Sequence, residues 1–324
     1  MKRWLVLGGS GTLGRAISAE IRQRGDSVVT AARRGADLPV DIRQANWLSG
    51  ALEAVKPDGI INSAAIVDLK ACEADPELAH AVNAAPVGDL ARWSRETGGA
   101  LIQISTDHYF DGDGDAAHDE DAPVTLLNEY ARSKFAGEEY ALEAPGALVV
   151  RTNVTGHNPG RETPTFADWA AASIRERRRL TLFEDFFTST IDAESLAAAV
   201  LDLHAAGASG VLNVASSDVS SKWEFVHDLA AAMGIVLDWA ERGTARGMTP
   251  PRALSLGLDV RRAEAILGRP LPDLLEVCAA LADTIEGNAP EWNGTNNSKS
   301  MAGRSRGARR PILSPILPLR MTGS

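Results

Sequence analysis

The stretch "LVLGGSGTLGRA", residues 5–16, decides the fold class. An apolar run that predicts a buried strand leads into a glycine-rich turn in which Gly8, Gly11 and Gly14 form Gly-x-x-Gly-x-x-Gly, and the residues after it show helical periodicity. A turn this rich in glycine lets the backbone approach a pyrophosphate, and the following helix points its free N–H groups at the phosphates. The order of strand, glycines and helix favours a dinucleotide-binding loop over a merely flexible glycine turn.

The alternation of strand and helix continues through the first half of the chain. Apolar runs such as "SVVTAA", "GIINSAA", "LIQIST" and "ALVVRT" predict buried strands, with helical patterns between them. We therefore predict an α/β fold, with a doubly wound parallel (Rossmann) sheet and a smaller α/β C-terminal domain that binds substrate. The predicted boundaries are 1–155 for the NAD(P)-binding domain, 156–288 for the substrate-binding domain, whose segments return to the sheet, and 289–324 for a disordered basic tail.

Composition narrows the class of protein. The chain has 324 residues and a net charge of −10, and the part before the basic tail is acidic, which argues against nucleic acid as a partner. We find no apolar stretch of the length that a membrane span requires. Cys72 and Cys278 form no CxxC and the six histidines no HxxxH spacing, so we predict no metal site and a cytoplasmic protein. A homodimer is left open.

The second predicted strand ends in two arginines, Arg33 and Arg34. An acidic residue at this place would bind the ribose 2′-hydroxyl of NAD, whereas arginine suits the 2′-phosphate of NADP. The pattern therefore favours NADPH as the cofactor, with NADH left open. The alternative is that both arginines are solvated loop residues.

The stretch "NEYARSKFAGEEY", residues 128–140, places Tyr130 and Lys134 one helical turn apart. A lysine ammonium on the same helix face would lower the pKa of Tyr130 from about 10 towards the range of a general acid. Thr106, at the carboxyl end of the predicted strand "LIQIST", would hold a substrate carbonyl beside the tyrosine. The alternatives are an ordinary amphipathic helix with an exposed lysine, and a threonine that caps a turn.

Several segments occur together in the order typical of one family. They are the glycine loop, "PDGIINSAA", "ADPELAHAVNA", "ISTDHYFDGDG" and "NEYARSKFAGEE". In these segments the chain resembles the extended short-chain dehydrogenases/reductases, and most nearly the dTDP-4-dehydrorhamnose reductase type. The resemblance covers roughly residues 3–282 and leaves out the basic tail.

The resemblance implies hydride transfer from NADPH to C4 of a nucleotide-linked 4-keto-6-deoxy sugar. Tyr130 would protonate the developing alkoxide, Lys134 would hold the ribose hydroxyls of the nicotinamide half, and Thr106 would bind the carbonyl oxygen. The residues assigned to the cofactor are Gly8, Ser10, Gly11, Thr12, Leu13, Gly14, Arg33, Arg34, Asp41, Ile42, Ala64, Ala65 and Lys134. Those assigned to the substrate are Asp107, His108, Asn153 and Arg252.

Three departures from the family lie outside the cofactor loop and the Tyr–Lys pair. His108 stands where the family often has tyrosine, Thr190 replaces a usual proline, and "RTNVTG", residues 151–156, lacks the tryptophan that would stack on a nucleotide base. The sugar and the nucleotide therefore stay open. One alternative is an epimerase or dehydratase of the same superfamily, although a dehydratase would have glutamate at the place of His108. The other is a non-catalytic regulatory subunit similar to that of methionine adenosyltransferase.

Overall fold

A computed structural model describes residues 1–112, 114–160 and 163–287 of the chain. The strands are β1 (Arg3–Leu7), β2 (Ser27–Ala32), β3 (Leu38–Pro39), β4 (Gly59–Asn62), β5 (Ala100–Ile104), β6 (Ala117–His118), β7 (Leu148–Arg151), β8 (Asn153–Thr155), β9 (Thr181–Phe183), β10 (Phe187–Thr188), β11 (Thr190–Asp192), β12 (Gly210–Asn213), β13 (Ser220–Ser221), β14 (Glu241–Gly243) and β15 (Ser255–Leu258). The helices are α1 (Thr12–Gln23), α2 (Trp47–Val55), α3 (Leu69–Ala74), α4 (Pro76–Asn83), α5 (Ala85–Thr97), α6 (Glu129–Leu142), α7 (Phe166–Arg175), α8 (Ala193–Ala205), α9 (Lys222–Ala232), α10 (Arg261–Leu267) and α11 (Leu274–Glu286).

The central sheet contains seven strands in the order β12-β7-β5-β4-β1-β2-β3, and each neighbouring pair is parallel. From β1 the chain runs outward to β3, and it then continues on the other side of β1 through β4, β5, β7 and β12. The direction therefore switches between β1 and β4. In open sheets of this kind, ligands bind outside the carboxyl ends of the strands at the switch. The order confirms the predicted doubly wound α/β class.

Apolar side chains cover both faces of the sheet. Successive residues of β1 point to opposite faces, as strand geometry requires. Val6 packs in one core with Ile17 of α1 and Leu196 of α8, while Leu5 packs in the other core with Val87 of α5. Burial on both faces explains why these strands form continuous apolar runs in the sequence.

Segments from the second half of the chain complete the fold. Strand β12 joins the central sheet beside β7, and smaller sheets form in the orders β13-β10-β15-β6, β11-β8 and β14-β9. In the parallel pair β11–β8, Thr190 lies opposite Asn153. This pairing brings a late segment of the chain next to the strand that follows β7.

The described residues belong to one compact unit. The predicted domain boundary at residue 155 stays a prediction. The predicted tail, residues 289–324, and the predicted domain end at residue 288 lie outside the described residues. Among the helices that the structure describes, none combines the length and the apolar character that crossing a membrane requires.

Candidate active site

A cavity of about 1570 Å³ opens at the carboxyl edge of the central sheet, outside β1, β2, β4 and β5. It lies at the switch point that the strand order defines. All but one of the predicted site residues line it: Gly8, Ser10, Gly11, Thr12, Leu13, Gly14, Arg33, Arg34, Asp41, Ile42, Ala64, Ala65, Thr106, Asp107, His108, Tyr130, Lys134 and Asn153. Arg252 is the predicted residue that does not line it.

The glycine loop fits a phosphate-bearing ligand. Gly8 has a φ of 77°, which favours glycine, and a Cβ on Gly14 would lie 2.3 Å from the Gly8 carbonyl oxygen. The next helix begins at Thr12, and its N-cap residue Gly11 offers no side-chain cap to the first N–H groups. Those free donors and the helix dipole favour an anion at this place, so the loop has the form that a pyrophosphate requires.

The wall beside β2 is cationic. Arg33 and Arg34 are exposed and line the cavity. Neither forms an ion pair with a carboxylate among the residues that the structure describes, although the charge of Arg33 helps to lower the pKa of Asp41. Asp41 binds Arg43 through both carboxylate oxygens, with donor–acceptor distances of 2.8 and 2.5 Å. The hydrogen bonds from the Arg43 side chain hold the pKa of Asp41 at about 2, against desolvation. Arg43 is a cavity residue for which the sequence offered no signal.

Tyr130 lies in the first turn of α6, whose N-cap residue Asn128 accepts a hydrogen bond from the backbone N–H of Ala131 at 2.9 Å. Only 7% of Tyr130 is exposed. Burial raises the pKa of its phenol, a hydrogen bond with Thr106 lowers it, and the charge of Asp107 raises it further. The phenol is therefore protonated at neutral pH and lies beside the predicted threonine.

Lys134 lies one turn further along α6, and its Nζ donates a hydrogen bond to the carbonyl oxygen of Ile104 at 2.7 Å. Only 4% of Lys134 is exposed, so the alternative of an exposed lysine is wrong. Burial lowers the pKa of the amine to about 8, and the nearby Glu138 opposes that change.

That Lys134 lowers the pKa of Tyr130 stays a prediction, because burial outweighs every other influence on this pKa in the structure. Among the described residues, the groups that change the pKa of the phenol are Thr106, Asp107 and Cys72, after burial itself. The lysine ammonium is directed at a backbone carbonyl of β5, and desolvation of the phenol is the largest effect. The spacing in the sequence predicted that Tyr130 and Lys134 share a helix face, but it did not predict that burial would have the largest effect on the pKa of the tyrosine.

The predicted substrate residues Asp107, His108 and Asn153 meet beside Tyr130. Asn153 Nδ2 donates to Asp107 Oδ2 at 2.7 Å, and the His108 ring lies edge-on to the Tyr130 ring with centroids 5.3 Å apart. Burial raises the pKa of Asp107 and lowers that of His108, while each residue's charge opposes the shift of the other. At neutral pH the histidine is therefore uncharged.

Two buried nitrogens near this group have no hydrogen-bond partner within the described part of the chain. They are Nδ1 of His108 and Nε of Arg252. The charge of Arg252 lowers the pKa of His108, so the two side chains lie within electrostatic range although Arg252 does not line the cavity. Unsatisfied buried polar atoms near a cavity indicate a place where a ligand supplies the partner.

Sequence reasoning missed a cluster of polar residues behind the cavity. Lys222, the first residue of α9, donates through Nζ to Thr188 Oγ1 at 2.9 Å and to Thr190 Oγ1 at 3.4 Å. Thr190 Oγ1 in turn donates to Asn153 Oδ1 at 2.9 Å. In the sequence, the departure at Thr190 and the assignment of Asn153 to the substrate were the signals that pointed to this cluster.

A doubly wound sheet with a glycine loop and a Tyr–Lys pair at its carboxyl edge is the arrangement of the extended short-chain dehydrogenases/reductases. The chain belongs to the family described as the RmlD substrate binding domain, whose sequence profile matches residues 1–253. Within the described ranges, no group of three or more His, Cys, Asp or Glu side chains is placed to hold a metal ion.

Named relatives cover most of the chain. It is 30% identical over 287 residues to the probable low-salt glycan biosynthesis reductase Agl14 of Haloferax volcanii, across 85% of this chain and 96% of the relative. It is 34% identical over 237 residues to dTDP-4-dehydrorhamnose reductase of Mycobacterium tuberculosis, across 68% of this chain and 72% of the relative. The crystal structure of dTDP-4-dehydrorhamnose reductase from Bacillus anthracis in complex with NADP matches with a TM-score of 0.78 at 21% identity, over 86% of this chain and 98% of that one. At that identity the last match supports the fold.

Proposed function

We propose that the protein is an NADPH-dependent reductase that acts on C4 of a nucleotide-linked 4-keto-6-deoxy sugar. The observation that carries the proposal is the placement of Thr106, Tyr130 and Lys134 on the wall of the cavity that the glycine loop also lines. Relatives named as reductases, with identities of 30% and 34%, support the same class of reaction. The proposed location is the cytoplasm, and a homodimer remains a proposal.

The cofactor would lie along the glycine loop and the end of β2. The N–H groups at the start of α1 would hold the pyrophosphate. The unpaired guanidinium groups of Arg33 and Arg34 favour a 2′-phosphate, and Asp41 and Ile42 would lie beside the adenine. Bound NADPH would supply the hydride. NADH would leave the two arginines without a phosphate partner, so we propose NADPH as the preferred cofactor.

Tyr130 would act as the general acid. Its raised pKa keeps the phenol protonated, and the proton passes to the sugar oxygen when reduction makes that oxygen an alkoxide. Thr106, which lies beside the phenol and lowers its pKa, would orient the same oxygen. Lys134, one turn away on the same face of α6, would stabilise the phenolate that remains and bind ribose hydroxyls of the cofactor.

The substrate would occupy the end of the cavity at His108 and Asn153. The uncharged His108 offers a free Nδ1, and Asn153 and Asp107 offer polar groups to the hydroxyls of a sugar. Arg252, with its buried unsatisfied Nε, suits the negative charge of the nucleotide phosphates. These contacts would place C4 of the sugar next to Tyr130.

The test is NADPH consumption with dTDP-4-keto-6-deoxyglucose and with its 3,5-epimer. We expect turnover in the wild type and a loss of about a thousandfold in kcat for Tyr130→Phe, with NADPH affinity retained. Tyr140→Phe, on the same helix α6, is the matched control and should turn over like the wild type. Turnover that survives in Tyr130→Phe would sink the assignment of the general acid.

Other outcomes would point to the alternatives. Pure protein whose absorbance shows tightly held NAD, without net NADPH consumption, would favour an epimerase. NADPH binding with no turnover of either sugar, and no cellular effect of Tyr130→Phe, would favour a regulatory NADP-binding subunit.

A further inference from the structure

Lys222 has an unusual environment for a lysine. It is partly buried, and its ammonium donates hydrogen bonds to the hydroxyls of Thr188 and Thr190, which are each 1% exposed. Phenyl rings surround the same ammonium, with centroids 5.0, 5.6 and 5.8 Å from Nζ. The rings belong to Phe166, Phe186 and Phe225.

This position is costly for a cation. Lys222 is the first residue of α9, where the helix dipole disfavours positive charge. No carboxylate among the described residues forms an ion pair with it, and burial lowers the pKa of the amine to about 8. A hydrophobic residue of similar size would fill the same space without the cost of burying a charge. The presence of an amine here therefore indicates a role other than stability.

The hydrogen bonds from Lys222 continue to Asp107. Thr190 Oγ1 donates to Asn153 Oδ1 at 2.9 Å, and Asn153 Nδ2 donates to Asp107 Oδ2 at 2.7 Å. The pairing of β11 with β8 places Thr190 opposite Asn153 and so fixes this connection. In each of these hydrogen bonds the group nearer to Lys222 donates and the group nearer to Asp107 accepts. Such a series of hydrogen bonds is strongest when the last acceptor is an anion.

We propose that Lys222 is a positioning residue of this site, and that through Thr190 and Asn153 its ammonium holds Asp107 as an oriented carboxylate beside Tyr130. The kinetic part of the proposal rests on the reductase function proposed above. Both oxygens of the carboxylate are then used, because Oδ1 accepts from Thr106 Oγ1 at 3.3 Å.

The charge of Asp107 matters for proton transfer. A carboxylate at this place raises the pKa of Tyr130, which keeps the proton on the phenol until the alkoxide forms. It also accepts a hydrogen bond from the hydroxyl of Thr106, and this hydroxyl would turn to the sugar oxygen when the substrate binds. If Asp107 became protonated, its charge would no longer raise the pKa of Tyr130, and the hydroxyl of Thr106 would lose an anionic acceptor.

The charged groups around Lys222 and Asp107 agree with this arrangement. Asp107 is the group from the neighbouring elements that raises the pKa of Lys222. Glu224, on the same helix α9, is bound to the N-cap residue Ser221. On the other side, the charges that lower the pKa of His108 are those of Arg252 and Lys222, and Asp107 opposes them.

A direct test is the titration of Asp107 by carbon NMR, in protein labelled at the aspartate carboxyl carbons and with Asp107→Asn to assign the signal. In Lys222→Met we expect the Asp107 midpoint to rise by about one pH unit or more, because the cation that favours the anion is gone. Lys222→Arg keeps the cation and should keep the wild-type midpoint. Lys56→Met, at an exposed lysine, is the matched control.

The same variants have a kinetic signature. The acid limb of the kcat profile should move to higher pH in Lys222→Met by the amount that the Asp107 midpoint moves, with the KM for NADPH unchanged. A residue that merely supports the fold would lower kcat without moving the limb. If the wild type turns over neither sugar, the reductase function fails, whereas the NMR titration still decides the role of Lys222.

One result would overturn the proposal. It is an Asp107 midpoint that stays in place in Lys222→Met or, if that variant does not fold, in Thr190→Val, which removes the connecting hydroxyl. If the unchanged midpoint came with a tenfold or larger loss of affinity for dTDP in Lys222→Met, Lys222 would be a ligand of the substrate instead.

Discussion

Lys134 and Lys222 are two buried amines whose pKa is lowered to about 8 by the same cause, desolvation. Lys134 lies on α6 among the residues that would hold the cofactor, and it donates to the backbone carbonyl of Ile104. Lys222 begins α9 behind the substrate end, and it donates to two threonine hydroxyls. The two lysines have a similar pKa, but their hydrogen-bond acceptors differ.

The comparison of the two lysines shows that a lowered pKa identifies a desolvated amine but does not identify its role. Lys134 lines the cavity and can touch a ligand, whereas Lys222 reaches the cavity through Thr190 and Asn153. The charge of Glu138 raises the pKa of Lys134, and the charge of Asp107 raises the pKa of Lys222. We therefore expect removal of the two amines to change different steps and to different degrees.

The largest expected effect is on turnover. Lys134→Met should lower kcat/KM by about a hundredfold or more, because it removes both a cofactor contact and the cation that stabilises the phenolate. Lys222→Met should lower it by about tenfold, because it acts through Asp107. Steady-state kinetics with NADPH as the varied reactant measures both. Equal losses, or a larger loss in Lys222→Met, would break the distinction between direct and indirect roles.

The next effect concerns the cofactor side of the comparison. Replacing Arg33 and Arg34 together by alanine should weaken NADPH binding by about fiftyfold and change NADH binding by less than about twofold, because only the 2′-phosphate is lost as a partner. Fluorescence titration with each cofactor measures the ratio. Arg92→Ala, at an exposed pair with Asp89 on α5, is the control. Equal losses for both cofactors would mean that the arginines do not select the phosphate.

The smallest effect is on stability and has a defined sign. Because the pKa of Lys134 falls from 10.5 unfolded to about 8 folded, the unfolded chain binds more protons between those values. Folding therefore carries the full cost of the buried charge below pH 8, and this cost disappears as pH rises towards 10.5. Lys134→Met should raise the free energy of unfolding at pH 7 by about 2 kcal/mol, after loss of its hydrogen bond is counted.

Urea unfolding at a series of pH values measures this gain. The gain of Lys134→Met over the wild type should shrink as pH rises above 8 and become a loss of about 1 kcal/mol above pH 10.5, because the lost hydrogen bond still counts after the cost of the charge has disappeared. A gain that did not change with pH would indicate better packing of methionine rather than the removal of a charge.

The features that could be predicted from the sequence are those that a few neighbouring residues define. Gly8 and Gly14 lie within one strand–turn–helix unit, and Tyr130 and Lys134 share a helix face because the helix repeats every 3.6 residues. The alternating strands and helices were enough to define a doubly wound sheet, and its strand order confirms that prediction. Once the class of sheet is known, Thr106 must lie at the edge where ligands bind.

The rest depended on contacts between distant parts of the chain. Asp107, which follows β5, meets Asn153 of β8, and Asn153 meets Thr190 because β8 pairs with β11. Lys222 comes from a helix that begins later still. The pKa of Tyr130 likewise follows from its burial, which helical spacing does not encode. Helix periodicity and turn chemistry act over a few residues, so the sequence alone determined the loop and the pair. Desolvation and hydrogen bonds between distant segments exist only after the sheet and its neighbours have packed, so the tertiary structure decided the partners of each charge.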